Sequence, residues 1–277
     1  MCEFCTQHGE GKKWYLNTKN YATELLNDLE RKNLIKHFYR SMVKEGNKNV
    51  TRLENILKKN RKIPGAVKRL YTKQLKSAHF GQVLPVEDIF EIFSFSNSIV
   101  RLACGCRWEV KKKEKRYCFG ISCGPPDWYQ DVDMDYFGSP NVARLESLKK
   151  EEAMQCIKEL DKKGMVHSVW TFQTPFIGAI CNCERTSCLA MRATIGLEMP
   201  GMFRAENVAA VDTEKCSGCQ ACSEICPFDA IEYSGENKKC FIDVKKCFGC
   251  GVCRSICQEK AICLVDRNTN PIASSIW

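Results

Sequence analysis

Cys216-Ser-Gly-Cys219-Gln-Ala-Cys222-Ser-Glu-Ile-Cys226-Pro227 and Cys247-Phe-Gly-Cys250-Gly-Val-Cys253-Arg-Ser-Ile-Cys257 are one pattern written twice near the end of a 277-residue chain. In each run three cysteines are separated by two residues, and a fourth follows after three more. Asp212 to Lys215 and Asp243 to Lys246 lead into the two runs at matching distance, which reads as an internal duplication. Gly218, Gly249 and Gly251 stand between the cysteines, where a side chain would hinder backbone N–H groups from turning toward sulfur.

This spacing resembles that of the bacterial two-[4Fe-4S] ferredoxins, over roughly residues 207–266. Pro227 and the Phe-Asp-Ala-Ile that follows fit the family pattern, whereas Gln258 stands where a proline is usual. The resemblance implies a β-α-β-α-β module holding two clusters. Three thiolates on one short loop can reach three corners of a cubane, but the loop cannot also wrap behind it. The fourth corner is then supplied from the opposite run. This assigns Cys216, Cys219, Cys222 and Cys257 to one [4Fe-4S] cluster, and Cys247, Cys250, Cys253 and Cys226 to the other. Disulfides or a pair of zinc knuckles are the competing readings, and an interlocked duplicate disfavours both. No Cys-x-x-Cys is followed by histidine, which excludes c-type haem. Cys240 and Cys263 fall outside the quartets and read as core cysteines of strands near 239–244 and 261–265.

Twenty cysteines in a chain with no N-terminal apolar run to act as a signal peptide point to a reducing cytoplasm, where thiolates serve metals. No stretch approaches the ~20 apolar residues of a membrane span. The net charge of +9 is unevenly placed: residues 1–80 hold 18 Lys and Arg against 7 Asp and Glu. Such a leader suits an ordinary solvated helix face or a redox partner with an acidic docking surface. No nucleic-acid module accompanies it, and no nucleic acid is expected.

The fold expected is α+β in three parts: a basic helical leader over 1–80, a cysteine-rich α/β domain over 81–205, and the ferredoxin module over 206–277. Helices are expected from 21 to 43 with Gly46 as a stop, then over 51–59, 67–76 and from Pro85. Ser147 to Lys163 reads as a helix capped by Ser147 and ended by Gly164, with Cys156 on its apolar face. Strands are expected over 98–103, 165–172 and 176–180, and a helix over 188–195.

Outside the module lies a second set of thiols. Cys104 and Cys106 follow the first of these strands and Cys181 and Cys183 the last. Cys118 and Cys123 are placed in a Gly-, Pro- and aromatic-rich loop, and Cys188 opens a helix. Strand alternation is expected to turn one thiol of each Cys-x-Cys away, unless Gly105 or Asn182 lets the backbone bend. Seven free thiols would invite oxidation, so a third metal centre is expected among them, iron–sulfur or zinc. At the N-terminus, Cys2-x-x-Cys5-x-x-His8 could fill three positions of a further metal site, or be unliganded thiols of a frayed end.

Cys104-Gly-Cys106-Arg107 and Cys181-Asn-Cys183 are similar to motifs of ferredoxin-domain proteins of anaerobic prokaryotes. That resemblance implies electron transfer beside a partner oxidoreductase. An electron carrier is therefore the first reading, a reductase acting through the N-terminal thiols the second, and a redox sensor or assembly factor the third. There is no dinucleotide-binding or Walker glycine motif. A flavin stays open because many flavin sites leave no short motif. His37, His79 and His167 read as surface or packing residues.

Overall fold

The structure, a computed structural model, describes residues 13–22, 29–59, 62–124 and 145–276. It is α+β, built around a six-stranded sheet in the order β1-β5-β6-β3-β2-β4. The strands are β1 (Gly81–Val83), β2 (Ser98–Leu102), β3 (Cys118–Ser122), β4 (Glu146–Ser147), β5 (Val166–Thr171) and β6 (Ile177–Cys183). Every pairing between these strands is antiparallel, and an isolated parallel bridge joins Gln82 of β1 to Phe203.

Helix α1 (Leu29–His37) runs through a π turn (Phe38–Met42) into α2 (Val43–Lys58). Gly46 does not stop the helix, contrary to the sequence expectation. A Cβ there would come 3.3 Å from Leu189 Cδ1, so the residue serves close packing. Helices α3 (Gly65–Ala78) and α4 (Val86–Phe95) follow, the latter with Pro85 as its N-cap. A short helix, α5 (Gly105–Lys111), leaves β2 immediately, with Cys104 as N-cap. Ser147 is drawn into β4, and α6 (Lys150–Lys162) starts at Lys149, whose N–H donates to Glu152 Oε2 at 2.9 Å. Cys118 lies in β3 rather than a loop, and β6 continues through Cys183.

The two faces of the sheet do different work. One buries Phe119, Ile121, Val169 and Ile180 against Ile89, Ile92 and Phe93 of α4 and Ala153, Ile157 and Leu160 of α6. On β5 and β6 the opposite face belongs to a second core that includes Val166, Trp170, Ala179 and Cys183. This core continues into the C-terminal region through Val208, Cys216, Phe228, Phe248 and Val252. Trp14 is buried beside Phe80, its indole N–H donating to Gln82 Oε1 at 2.6 Å, so residues near the start of the chain also pack on the sheet.

The C-terminal region comprises β7 (Asn207–Val211), α7 (Ala221–Ile225), β8 (Ile231–Ser234), β9 (Lys239–Ile242), α8 (Val252–Ile256) and β10 (Ile262–Asp266). Its order is β-α-β-β-α-β, one strand more than the sequence suggests. β7 pairs antiparallel with β10, and β8 with β9. The helix expected over 188–195 is a short turn, Leu189–Met191, running into a π turn, Arg192–Gly196. No helix among the described residues is long and apolar enough to cross a membrane.

His79 illustrates how tightly the sheet edge is packed. Its ring stacks on Trp170 at 4.8 Å, with Nδ1 2.6 Å from the Thr171 carbonyl. Burial brings the imidazole down to about 4, opposed in part by the Thr171 bond. An unfolded chain protonates this group near 6.5, so between the two values the unfolded state binds more protons. The stability that neutral His79 contributes is complete above that window and lost as pH falls through it. His79→Phe should therefore show a smaller drop in Tm between pH 6.5 and 4 than the parent chain, followed by tryptophan fluorescence without oxygen. Parallel pH profiles would contradict this account.

Candidate metal centres

The two C-terminal cysteine runs superimpose in their local chemistry at a displacement of 31 residues (216 to 247). Cys216 N–H donates to the Asp212 carbonyl at 3.0 Å and Cys247 N–H to that of Asp243 at 2.9 Å. Asp212 and Asp243 in turn donate to the carbonyls of Ala261 and Ala230, both at 2.8 Å, so each half is tied to the other. The fourth cysteines match as well. Ala230 N–H lies 3.4 Å from Cys226 Sγ, and Ala261 N–H 3.3 Å from Cys257 Sγ.

The turns require glycine in two places. Gly218 and Gly249 have φ of +74° and +73°, and a Cβ would fall 2.2 Å from the Lys238 carbonyl oxygen and 2.0 Å from that of Asn207. Any larger residue would displace the loop from the strand beside it. These turns fold the backbone back over the thiols, which suits a ligand that needs N–H groups around sulfur.

Cys226, Cys247, Cys250 and Cys253 are brought together. Burial and then the charge of Cys253 drive the Cys250 thiol well up, with Cys247 and Cys226 adding to it. Burial, then Cys247 and Cys226, push Cys253 to about 12. Four thiols that oppose one another's ionisation are the donor set for a cationic group, and metal binding there must release protons. In the other run, burial works upward on Cys216. The backbone N–H groups of Cys240 and Gly218, with Lys239, bring it down. Cys240 is more than a core cysteine: its thiol sits within hydrogen-bond reach of both Cys216 and Cys222. Cys219 is exposed and Cys257 half-buried, and Cys263 is exposed on β10. Position 240 carries no ligand spacing, which is why the sequence hides it.

Residues 209–232 match the 4Fe-4S binding domain family. The match indicates at least one [4Fe-4S] cluster and, in general terms, an iron–sulfur electron-transfer role. It spans the first cysteine run, and the second run lies beyond it. No curated protein and no solved structure matches the chain.

The remaining thiols separate into a group and two outliers. Cys118 and Cys181 are register partners on β3 and β6, and Cys183 lies two residues along β6. A period of two puts Cys181 and Cys183 on the same sheet face, so the expected turning-away of one thiol does not occur. Cys118 lies within hydrogen-bond reach of Cys104 and Cys181, and Cys183 within reach of Cys181, Cys188 and Ser168. Cys106 is near enough to Cys118, Cys183 and Cys188 to act on them electrostatically. Cys123 stands apart at the other end of β3, its Sγ 3.8 Å from the Phe95 carbonyl oxygen. Cys156 lies 3.9 Å from Arg101 Nη1. Cys2, Cys5 and His8 fall outside the described residues. Among the described residues no three His, Cys, Asp or Glu side chains are arranged about a single metal-ion position.

One further residue holds the C-terminal loops in place. Arg267 is fully buried. Its Nε donates to the Ala205 carbonyl at 2.7 Å, and Nη2 donates to those of Asn207 at 2.9 Å and Cys247 at 3.2 Å. Arg267→Met leaves three carbonyls short of a donor and should cost about 3 kcal/mol, a fall in Tm on the order of 10 °C. An unchanged Tm in an oxygen-free melt would rule out this bracing role.

Proposed function

We propose that the chain is a two-cluster electron carrier that passes single electrons to or from a partner oxidoreductase. Cys216, Cys219, Cys222 and Cys257 would hold one [4Fe-4S] cluster, and Cys247, Cys250, Cys253 and Cys226 the other. The observation that carries this reading is the repeat itself. Two cysteine loops share hydrogen bonds, left-handed glycines and amide contacts to the fourth sulfur, and strands 207–211 and 262–266 tie one half to the other.

A cluster bound in each quartet supplies a one-electron couple, tuned by hydrogen bonds to sulfur and by exposure. The protein's part is positioning and insulation. Phe228 and Phe248 stack at 4.2 Å between the loops, and Arg204 lies over Phe248 at 4.2 Å. The thiols of the 247–253 loop are buried, whereas Cys219 opens the other loop to solvent. The basic leader of residues 1–80 offers an acidic partner a docking surface, residues 81–205 carry the sheet, and residues 206–277 form the redox module. The free thiols among the described residues suit a reducing cytoplasm.

The test is anaerobic iron and sulfide analysis of the full chain beside a variant with Cys216, Cys219, Cys247 and Cys250 replaced by alanine. The replacement should remove about eight irons per chain and, with them, the paramagnetic signals of the reduced pair. A loss of about four irons would leave a single cluster, and a colourless parent protein carrying only zinc would end the proposal.

A further inference from the structure

The six grouped thiols outside the module share a buried cation. Arg107 is only 3% exposed. Its Nε is 3.3 Å from Glu184 Oε1, Nη2 is 3.8 Å from Met165 Sδ, and the guanidinium lies over the Tyr117 ring at 4.4 Å. Its Nη1 is buried without a hydrogen-bond partner. The guanidinium is close enough to Cys104, Cys106, Cys118 and Cys183 to act on each electrostatically. Glu184 pairs with one edge of this buried guanidinium, and the idle Nη1 N–H still lacks an acceptor.

We propose that Cys104, Cys106, Cys118, Cys181, Cys183 and Cys188 form a third cluster site, in which four of the six, Cys118 and Cys183 among them, hold a [4Fe-4S] cluster and Arg107 Nη1 donates to its sulfur. Zinc would draw its four sulfurs to about 2.3 Å from one point. Here the thiols approach one another in pairs, Cys104 with Cys118, Cys118 with Cys181, Cys181 with Cys183 and Cys183 with Cys188, and no trio surrounds a single ion position. Paired sulfurs without a common centre suit the corners of a polynuclear anionic cluster. Cys118 and Cys183 are central because each lies between two neighbouring thiols and each lies in the field of Arg107.

The site adjoins the C-terminal module across the sheet. Asn182, between Cys181 and Cys183, points to the opposite face, where its Oδ1 is 2.5 Å from His167 Nδ1. His167 Nε2 is 3.4 Å from Asp161 Oδ1, and Asp161 accepts from Ser255 on the helix that carries Cys253. On the thiol face, Cys183 and Cys188 belong to the same apolar core as Cys216, Cys222, Cys247, Cys250 and Cys253. The proposal goes beyond the two-cluster reading and stands or falls separately from it.

The deciding experiment counts iron, sulfide and zinc in the full chain after anaerobic reconstitution, with reduced-state paramagnetic resonance. The parent should carry about twelve irons. Cys118→Ala with Cys183→Ala should lose about four and keep the module's signals, while Cys123→Ala should lose none. Arg107→Met should keep the iron and move the midpoint of the third signal to more negative potential. About eight irons in the parent, with or without zinc, or no loss in the double variant, would overturn the proposal. That parent count decides the matter even where the double variant fails to fold. An unmoved midpoint would remove Arg107 from the site. Should the four module replacements remove no iron while the Cys118 and Cys183 pair removes all of it, the two-cluster reading fails and this centre stands.

Discussion

Sulfur that must carry negative charge inside a protein is the constraint from which most of this architecture follows. A buried thiol resists ionisation, and a neighbouring thiolate makes it resist more. At Cys250 and Cys253 both effects act together. The chain answers with cations and with backbone. Left-handed turns at Gly218 and Gly249 swing amide groups inward, Lys239 stands beside Cys216, and Arg107 is buried beside the thiols of the sheet. None of these arrangements has an evident return in a protein whose cysteines merely fill a core.

The sheet and the C-terminal repeat are joined by one packed interior rather than by a linker. Gly164, which ends helix α6 with φ +76°, is where the two meet: a Cβ there would come 2.9 Å from Ile225 of α7. Three residues earlier, Asp161 reaches both His167 in the sheet and Ser255 in α8. Arg254 adds an ion pair to Glu87 at 2.5 Å. A helix chosen by its apolar stripe for covering the sheet thus also fixes where the cysteine-bearing helices lie.

Much of the module could be read from the chain because its information is local. Cysteine spacing, intervening glycines and a repeat of fixed length sit within short windows, and the structure places the repeat's hydrogen bonds in register. The sheet was legible only as separate strands. Their order, with β3 between β6 and β2, is set by contacts between segments far apart in sequence, and alternation alone cannot rank such pairings. The ends of elements were missed where tertiary contact overrides local preference: Gly46 inside a helix, Ser147 in a strand. Cys240 and Arg107 escaped because a role defined by neighbours in space leaves no spacing to recognise. The same cause separates Cys123 from Cys118, which opens β3 while Cys123 lies just beyond its far end.

The two repeated loops share a backbone but not an environment. Cys250 is covered, and the residues around it from Cys247 to Cys253 are buried. Its counterpart Cys219 faces water. Hydration stabilises the more negative state of a reducible centre, so a wet loop and a dry loop of identical ligand chemistry do not share one midpoint. The two halves thus differ in exposure though not in backbone. On the proposed two-cluster reading that difference would give electron flow a downhill direction, and the uncovered Cys219 would be the terminal facing a partner.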